Sequence, residues 1–361
     1  MTQEIGIIQI GTGGVGGELV RQVMAQQTAL EQRYGFRLGY LALVERSGII
    51  STGQMLDQET VSAALTAMKT RQDFAALRGG HPPGDWKQFL PATPCIVADI
   101  TAADGMGPHL AQAVEMGHRV VLANKRPLTS GLDLFATLTA NRATRYEVTV
   151  GAGLPIIDPL QRLLDSGDSL IRIEAAMSGT LGYLCGAIEE GTPLSEAVCT
   201  ARSKGWTEPD PRDDLSGADV ARKALILART CGLPWTMDDI PCEPWFPPEL
   251  AEISVEAFMQ RVGSLDDPYA QRVTAARSRK TVLRYVASVE PEGASVGLRE
   301  LPPDHPLAGL RGPDNMFVFT TARYSDPVPR LVVRGPGAGI EVTAAGAFGD
   351  IVATAREMLQ P

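Results

Sequence analysis

Along the first 150 positions, apolar residues gather into short unbroken runs: Ile5–Ile10 ("IGIIQI"), "FRLGYLALVER", Cys95–Thr101 ("CIVADIT"), His118–Lys125 ("HRVVLANK") and Tyr146–Gly151 ("YEVTVG"). Runs of this kind, without polar alternation, read as strands buried on both faces. Between them, "VGGELVRQVMAQQ" from Val15 and "GPHLAQAVEMG" place apolar residues at helical spacing. Strands alternating with helices predict a Rossmann-like, doubly wound parallel sheet. The segment from Ser51 to Trp86 reads as a helix followed by looser chain, ending in the surface loop "RGGHPPGD".

Near residue 150 the texture changes. "SLIRIEAAM", "KTVLRYVASVE", "ASVGLREL", "NMFVFTTARY" and "PRLVVRG" read as strands, and the helices between them come mainly as one block. That order predicts an α+β unit with a mixed sheet. "IPCEPWFPPEL" reads as a connector, and the acidic, Pro-rich stretch from Asp238 to Glu249 matches no known motif. The closing "GPGAGIEVTAAGAFGDIVATAREML" is a glycine turn leading into a helix that completes the first sheet. The expected domains are 1–150 with 337–361, and 151–336.

Composition narrows the function. A chain of 361 residues is long enough for two cored domains, and its net charge of -9 argues against a nucleic-acid partner. No apolar run approaches the ~18–20 residues that span a bilayer, so no membrane partner is expected. The N-terminus enters a strand without an export signal, which predicts a cytoplasmic protein. Neither the five cysteines nor the four histidines show metal-ligand spacing.

Three motifs carry candidate chemistry. In "GTGGVG", Gly11, Gly13 and Gly16 fall in the frame of a dinucleotide-binding turn between strand and helix, where phosphates meet helix N–H groups. At the end of the next strand, Glu45 suits a ribose 2′-OH whereas Arg46 and Ser47 suit a 2′-phosphate, so NADP is favoured and NAD stays open. In "LANKRPLT", Lys125 projects from the carboxyl edge of the sheet, beside Asp99 and Thr101 on the neighbouring strand. The third motif is "GWTEPDPRDDLSGADVARKALILA", in which Glu208, Asp210, Asp213 and Asp214 lie in a loop stiffened by Pro209 and Pro211. Asp219 and Lys223 follow at i,i+4 on one side of a helix, with the lysine at the margin of its buried face. The pair reads either as a structural ion pair or as a held proton donor.

Taken together, "GTGGVGGEL", "LANKRPLT", "EVTVGAGLPII", "MSGTLGYL", the Glu208–Lys223 stretch and "GPGAGIEVTAAGAFGD" resemble the homoserine dehydrogenase family over nearly the whole chain. The resemblance implies interconversion of L-aspartate 4-semialdehyde and L-homoserine, within threonine, methionine and isoleucine biosynthesis. It implies that Gly13, Gly14, Val15 and Gly16, next to Gly11, touch the nucleotide, and that Thr101, Lys125, Gly205 and Gly337 line its nicotinamide end. Glu208 and Asp219, with Asp214 and Thr180, would hold the amino-acid substrate. Lys223 would donate the proton, and Lys125 would be a second essential lysine. Glu147 and the main chain at Val150, Ala152 and Leu154 would bind Na+ or K+, and the chain would form a homodimer.

Two departures stand out: "MSGTLGY" replaces an Asn-containing version, and Trp206 stands where a smaller residue is frequent. A sugar or polyol dehydrogenase would share the glycine turn without the Glu208–Lys223 pattern, while a non-catalytic NADP sensor would not need both lysines. Because the last helix ends near Pro361, no threonine-binding regulatory domain is expected, and threonine should inhibit weakly and by competition.

Overall fold

The computed structural model describes residues 2–360, and the chain divides into two compact units, Met1–Gly153 with Ala338–Pro361, and Leu154–Gly337. In the first unit, seven strands form one sheet: β1 (Gln3–Ile10), β2 (Phe36–Glu45), β3 (Gly48–Ser51), β4 (Gly80–His81), β5 (Ile96–Asp99), β6 (Arg119–Leu122) and β7 (Thr144–Arg145). Their order is β4-β3-β2-β1-β5-β6-β7. The β2-β1-β5-β6-β7 portion is parallel, and β3 and β4 extend it antiparallel at one edge. Residues Ile5–Ile10 are all buried, as a central strand covered on both faces requires.

One face of that sheet packs with the helix Gly14–Ala25, the helix Gln58–Thr70 and the final helix Ile340–Met358 into a core that includes Ile7, Leu19, Phe36, Leu43, Ala347 and Ile351. Each buried aliphatic side chain of this size contributes about 1.5–3 kcal/mol relative to an exposed one. The parallel order brings the carboxyl ends of β1, β5 and β6 side by side, the edge at which open α/β sheets bind ligands.

One strand expectation fails here. Tyr146–Gly151 has the β-branched composition of a strand, but only Thr144–Arg145 pairs with the sheet, and Val148–Gly151 forms a helical turn. The cause lies far along the chain: Asp350 Oδ2, on the final helix, accepts the Glu147 N–H at 3.0 Å. That backbone donor is thereby satisfied outside any ladder.

The second unit carries β8 (Leu170–Ala176), β9 (Val282–Glu290), β10 (Gly293–Leu301), β11 (Asp314–Thr321) and β12 (Leu331–Pro336), in the order β10-β9-β8-β11-β12. Every ladder of this unit is antiparallel, and an isolated bridge from Cys242 to Val296 is its one parallel pairing among the described residues, so the expected mixed sheet is corrected to an antiparallel one. The supposed connector "IPCEPWFPPEL" contributes Ile240, Trp245, Phe246 and Leu250 to the core. Trp245 is 2% exposed and stacks on Tyr269 with ring centroids 5.0 Å apart. The buried helix Ala218–Thr230 packs on β9 and carries Lys223.

Candidate active site

In the first unit, the chain leaves β1 at Gly11, whose φ of +98° is open to glycine, and a Cβ there would lie 2.8 Å from the Ile100 carbonyl oxygen. Gly16, one turn into the first helix, packs so closely that a Cβ would lie 2.1 Å from the Gly11 carbonyl oxygen. Gln9 clamps this turn. Its side-chain N–H donates to Gly11 O at 3.0 Å and Gly16 O at 2.9 Å, while its carbonyl accepts from the Tyr40 hydroxyl. The signal for Gln9 was present in the sequence: it is the one polar residue inside an apolar strand, and it is completely buried.

Gly13 and Gly14 are exposed at the start of the helix, and Val15 is half-buried. No atom lies within 4 Å of where a Gly13 Cβ would stand, whereas Ile340 would lie 3.1 Å from a Gly14 Cβ. At the end of β2, Glu45 accepts from the Thr12 hydroxyl at 2.7 Å and from the Ser47 hydroxyl. Ser47 also accepts the Phe74 N–H, which leaves Arg46 as the exposed group of that turn.

A second polar knot lies at the ends of β5 and β6. Asp99 is fully buried and accepts both the Thr101 N–H at 3.0 Å and the Thr101 hydroxyl at 2.6 Å. Burial pushes its carboxyl above the ordinary range, against the pull of Thr101 and Asn124. Asn124 donates to Asp99 and to Ala103 O, and accepts the Arg126 N–H. This fixes the turn on which Lys125, half-buried, opens the short helix Arg126–Thr129. Sequence reasoning took Lys125 and Thr101 but missed Asn124, the residue that positions both ends. Glu147, Val150 and Ala152 follow in the turn after β7, with Glu147 8% exposed and Ala152 at φ +55°. Leu154 begins the second unit.

In the second unit, Lys223 is 8% exposed, deeper than a margin position. Its Nζ donates to the Met177 carbonyl at 2.8 Å and pairs with Asp219 at 2.9 Å. Three residues beyond Met177, the Thr180 hydroxyl donates to Trp206 O at 2.6 Å and also bonds Asp214. Asp214 accepts the Glu208 N–H at 2.8 Å. The short Met177–Thr180 segment therefore ties Lys223 and Asp219 to Asp214 and Glu208. Burial, with the adjacent Glu208 carboxylate adding to it, raises the Asp214 carboxyl despite the Glu208 N–H.

The acidic stretch is not uniformly available. Residues Pro211–Leu215, read as loop, form a short helix capped by Asp210. Asp210 is held below the usual carboxylate range by the Arg212 guanidinium, which also donates to the carbonyls of Leu250, Ala251 and Ile253. Asp210 is thus structural, Asp213 is exposed, Asp219 is paired with Lys223, and Glu208 and Asp214 form no ion pair among the described residues. Gly205 lies in an exposed left-handed turn, beside Trp206, over which Lys204 sits 4.5 Å from the ring centroid. Gly337 packs against Asn315, whose amide occupies the place of a Cβ at 1.9 Å.

These features define an α/β protein of the Rossmann-like class with an appended antiparallel α+β unit whose buried lysine is paired with Asp219. The homoserine dehydrogenase family profile matches residues 155–352. The homoserine dehydrogenase of Saccharomyces cerevisiae is 32% identical over 371 residues, covering 99% of each chain. The chloroplastic bifunctional aspartokinase/homoserine dehydrogenase 2 of Zea mays is 38% identical over 368 residues, covering 100% of this chain but 39% of its own length. The chain thus spans well under half of the bifunctional relatives it matches. Among solved structures, a Candida auris protein of unknown function superposes with a TM-score of 0.86 at 28% identity, covering 98% of each chain. A hyperthermophilic archaeal homoserine dehydrogenase in complex with NADPH superposes with a TM-score of 0.75 at 25% identity, covering 99% of each. The chain belongs to the homoserine dehydrogenase family.

Proposed function

We propose that the protein catalyses the NAD(P)-dependent interconversion of L-aspartate 4-semialdehyde and L-homoserine. The observation that carries this reading is a pair of carboxylates, Glu208 and Asp214, that form no ion pair among the described residues and are joined through one hydrogen-bonded segment to the Lys223–Asp219 pair. Both substrates bring the missing positive charge as an α-ammonium group. Among the described residues Asp214 makes no ion pair, so its partly buried charge has a bound cation to gain.

The glycine turn fits a dinucleotide, with Gly13 and Gly14 exposed at the start of the helix and open space beside Gly13. When bound, the reduced nicotinamide supplies a hydride to the aldehyde carbon. Negative charge then grows on the carbonyl oxygen, and Lys223 stabilises it and donates a proton from Nζ. The Met177 carbonyl and Asp219 hold that ammonium in one place, and in the reverse direction the same nitrogen recovers the proton from the homoserine hydroxyl. In the first unit, Thr101 and Lys125, fixed by Asp99 and Asn124, would serve the nicotinamide end.

The residues proposed for a monovalent cation fit hard-ion chemistry: a buried carboxylate at Glu147 stands in a turned segment that supplies main-chain oxygens. They would hold Na+ or K+ as a structural support for that segment. For a homodimer, support comes from apolar side chains left exposed on the second unit, at Ile171, Tyr324, Val328 and Val332. A place in threonine, methionine and isoleucine biosynthesis, in the cytoplasm, completes the reading that the family likeness suggests.

Three results test it. Glu208→Ala should raise KM for homoserine about tenfold or more with a smaller change in kcat, because it removes a charge contact made in the ground state; an unchanged KM would move the ammonium site elsewhere. Asp214→Asn should stabilise the fold above the ordinary carboxylate pKa. A raised folded-state pKa means that Asp214 favours folding at low pH and that this contribution is lost as pH rises through the folded value. The Tm difference between Asp214→Asn and the parent should therefore grow in favour of the variant from about pH 4 to pH 8. A difference independent of pH would show that the Asp214 charge is compensated. Finally, Arg46→Ala should weaken NADP more than NAD in direct titrations, and equal losses would remove Arg46 from cofactor discrimination.

A further inference from the structure

At one end of the second unit, three arginines meet around a single carboxylate. Glu189, in the last turn of the helix Gly179–Glu190, accepts from Arg284 Nη1 at 2.9 Å and lies 3.8 Å from Arg311 Nη2. Arg277, in the last turn of the helix Asp266–Ser278, donates to the main-chain oxygen of the same residue. Arg284 and Arg311 also share an acceptor, the Ala308 carbonyl, at 2.6 and 2.9 Å. Two guanidiniums are therefore held side by side against their mutual repulsion. Among the described residues no second acid pairs with these three: Glu300 is taken by Arg279 and Thr281, and Glu190 is exposed and forms no ion pair. In a chain of net charge -9, three cations against one anion make a local surplus of positive charge.

Burial supplies a second, independent sign. The Arg284 side chain is 3% exposed, its Nη groups are spent on Glu189, Leu283 O and Ala308 O, and its Nε is buried with no acceptor among the described residues. Donors outnumber acceptors here, an imbalance that burial makes costly. Burial also raises the Glu189 carboxyl above its ordinary range, against the pull of Arg311 and Arg277, so the one anion present is itself poorly solvated. Arg277 and Arg311, by contrast, are exposed and open the cluster to solvent. The loop that carries Arg311 lies along the helix Gly179–Glu190: the Gly312 and Pro313 carbonyl oxygens stand 3.2 and 3.0 Å from where Cβ atoms on Gly182 and Gly179 would be.

We propose that Arg277 and Arg311, backed by the buried Arg284, bind a doubly charged oxyanion, a phosphate group either free or as a monoester. Planar guanidiniums offer such a group paired, charge-assisted hydrogen bonds. At neutral pH a phosphate monoester carries about -1.5 to -2 charges, which matches what three guanidiniums and one carboxylate leave unanswered. The site belongs to the second unit, whereas the glycine turn belongs to the first, so the two take their ligands independently.

The test is calorimetric titration of inorganic phosphate into the full-length protein at constant ionic strength, with and without NADPH. The parent should take up one phosphate per chain that NADPH does not displace, and hydrogen exchange in the Gly309–Gly312 loop should slow as the site fills. The double variant Arg277→Ala, Arg311→Ala should bind phosphate at least about tenfold more weakly. Glu189→Gln removes the lone anion and should bind it more tightly, a gain that a damaged fold would not produce; if that variant does not fold, the double variant decides. Glycerol 3-phosphate, titrated in the same way, separates the two sources: binding at least as tight as that of phosphate assigns the monoester, and weaker binding assigns the free ion. The proposal is overturned by a parent with no saturable uptake, by uptake that NADPH abolishes, since the ion would then sit at the glycine turn, or by a double variant that binds phosphate as the parent does.

Discussion

Lys223→Ala is expected to lower kcat by roughly 10²–10⁴, the size of a positioned proton-transfer contribution, with nucleotide affinity nearly unchanged. The expectation follows from a single, nearly buried nitrogen with two of its three N–H groups directed at Met177 O and Asp219, which holds it in place and leaves the third for a substrate oxygen. Its removal also leaves the Met177 carbonyl without that donor, so some stability should be lost as well. Lys223→Arg separates the two effects: it keeps a charged donor, and a fold restored without restored turnover would assign the nitrogen at that position to catalysis. Normal turnover in Lys223→Ala would reduce the lysine to a structural ion-pair partner. The measurement is steady-state kinetics in both directions, with Tm recorded for each variant.

Gly16→Val should abolish nucleotide binding and destabilise the first unit by about 1–3 kcal/mol or more. Even the first added carbon would stand 2.1 Å from the Gly11 carbonyl oxygen, a backbone atom that cannot rotate away, and 3.1 Å from the Gln9 amide nitrogen that clamps the turn. Relief requires the helix to withdraw from the turn, which breaks the Gln9 bonds to Gly11 and Gly16 and misdirects the N–H groups at Gly13 and Gly14. Thermal unfolding and NADPH titration check this together. A variant with parental Tm and affinity would show that the turn is far more compliant than its packing indicates.

The sequence displayed what is local. The glycine turn follows from three glycines between an apolar strand and a helical period, and Lys223 beside Asp219 follows from i,i+4 spacing. What it concealed depends on partners far along the chain. Tyr146–Gly151 has the composition of a strand, yet the Glu147 N–H is taken by Asp350, some two hundred positions away. Asp210 looks as available as Glu208 until Arg212 is seen reaching the carbonyls after Leu250. Asn124 was read only as part of a motif around Lys125, because its task, joining Asp99 to Ala103, exists only once β5 and β6 are neighbours. Trp245 sat in a stretch whose prolines suggested a connector, and its stacking on Tyr269 shows that proline content marks irregular backbone without marking exposure.

The most direct test of the central claim is L-homoserine-dependent reduction of NADP and of NAD by the purified protein, followed side by side at the nicotinamide absorbance. Turnover is expected to require homoserine, with the higher kcat/KM for NADP. Reduction that does not depend on homoserine, or none with either nucleotide while both still bind, would contradict it.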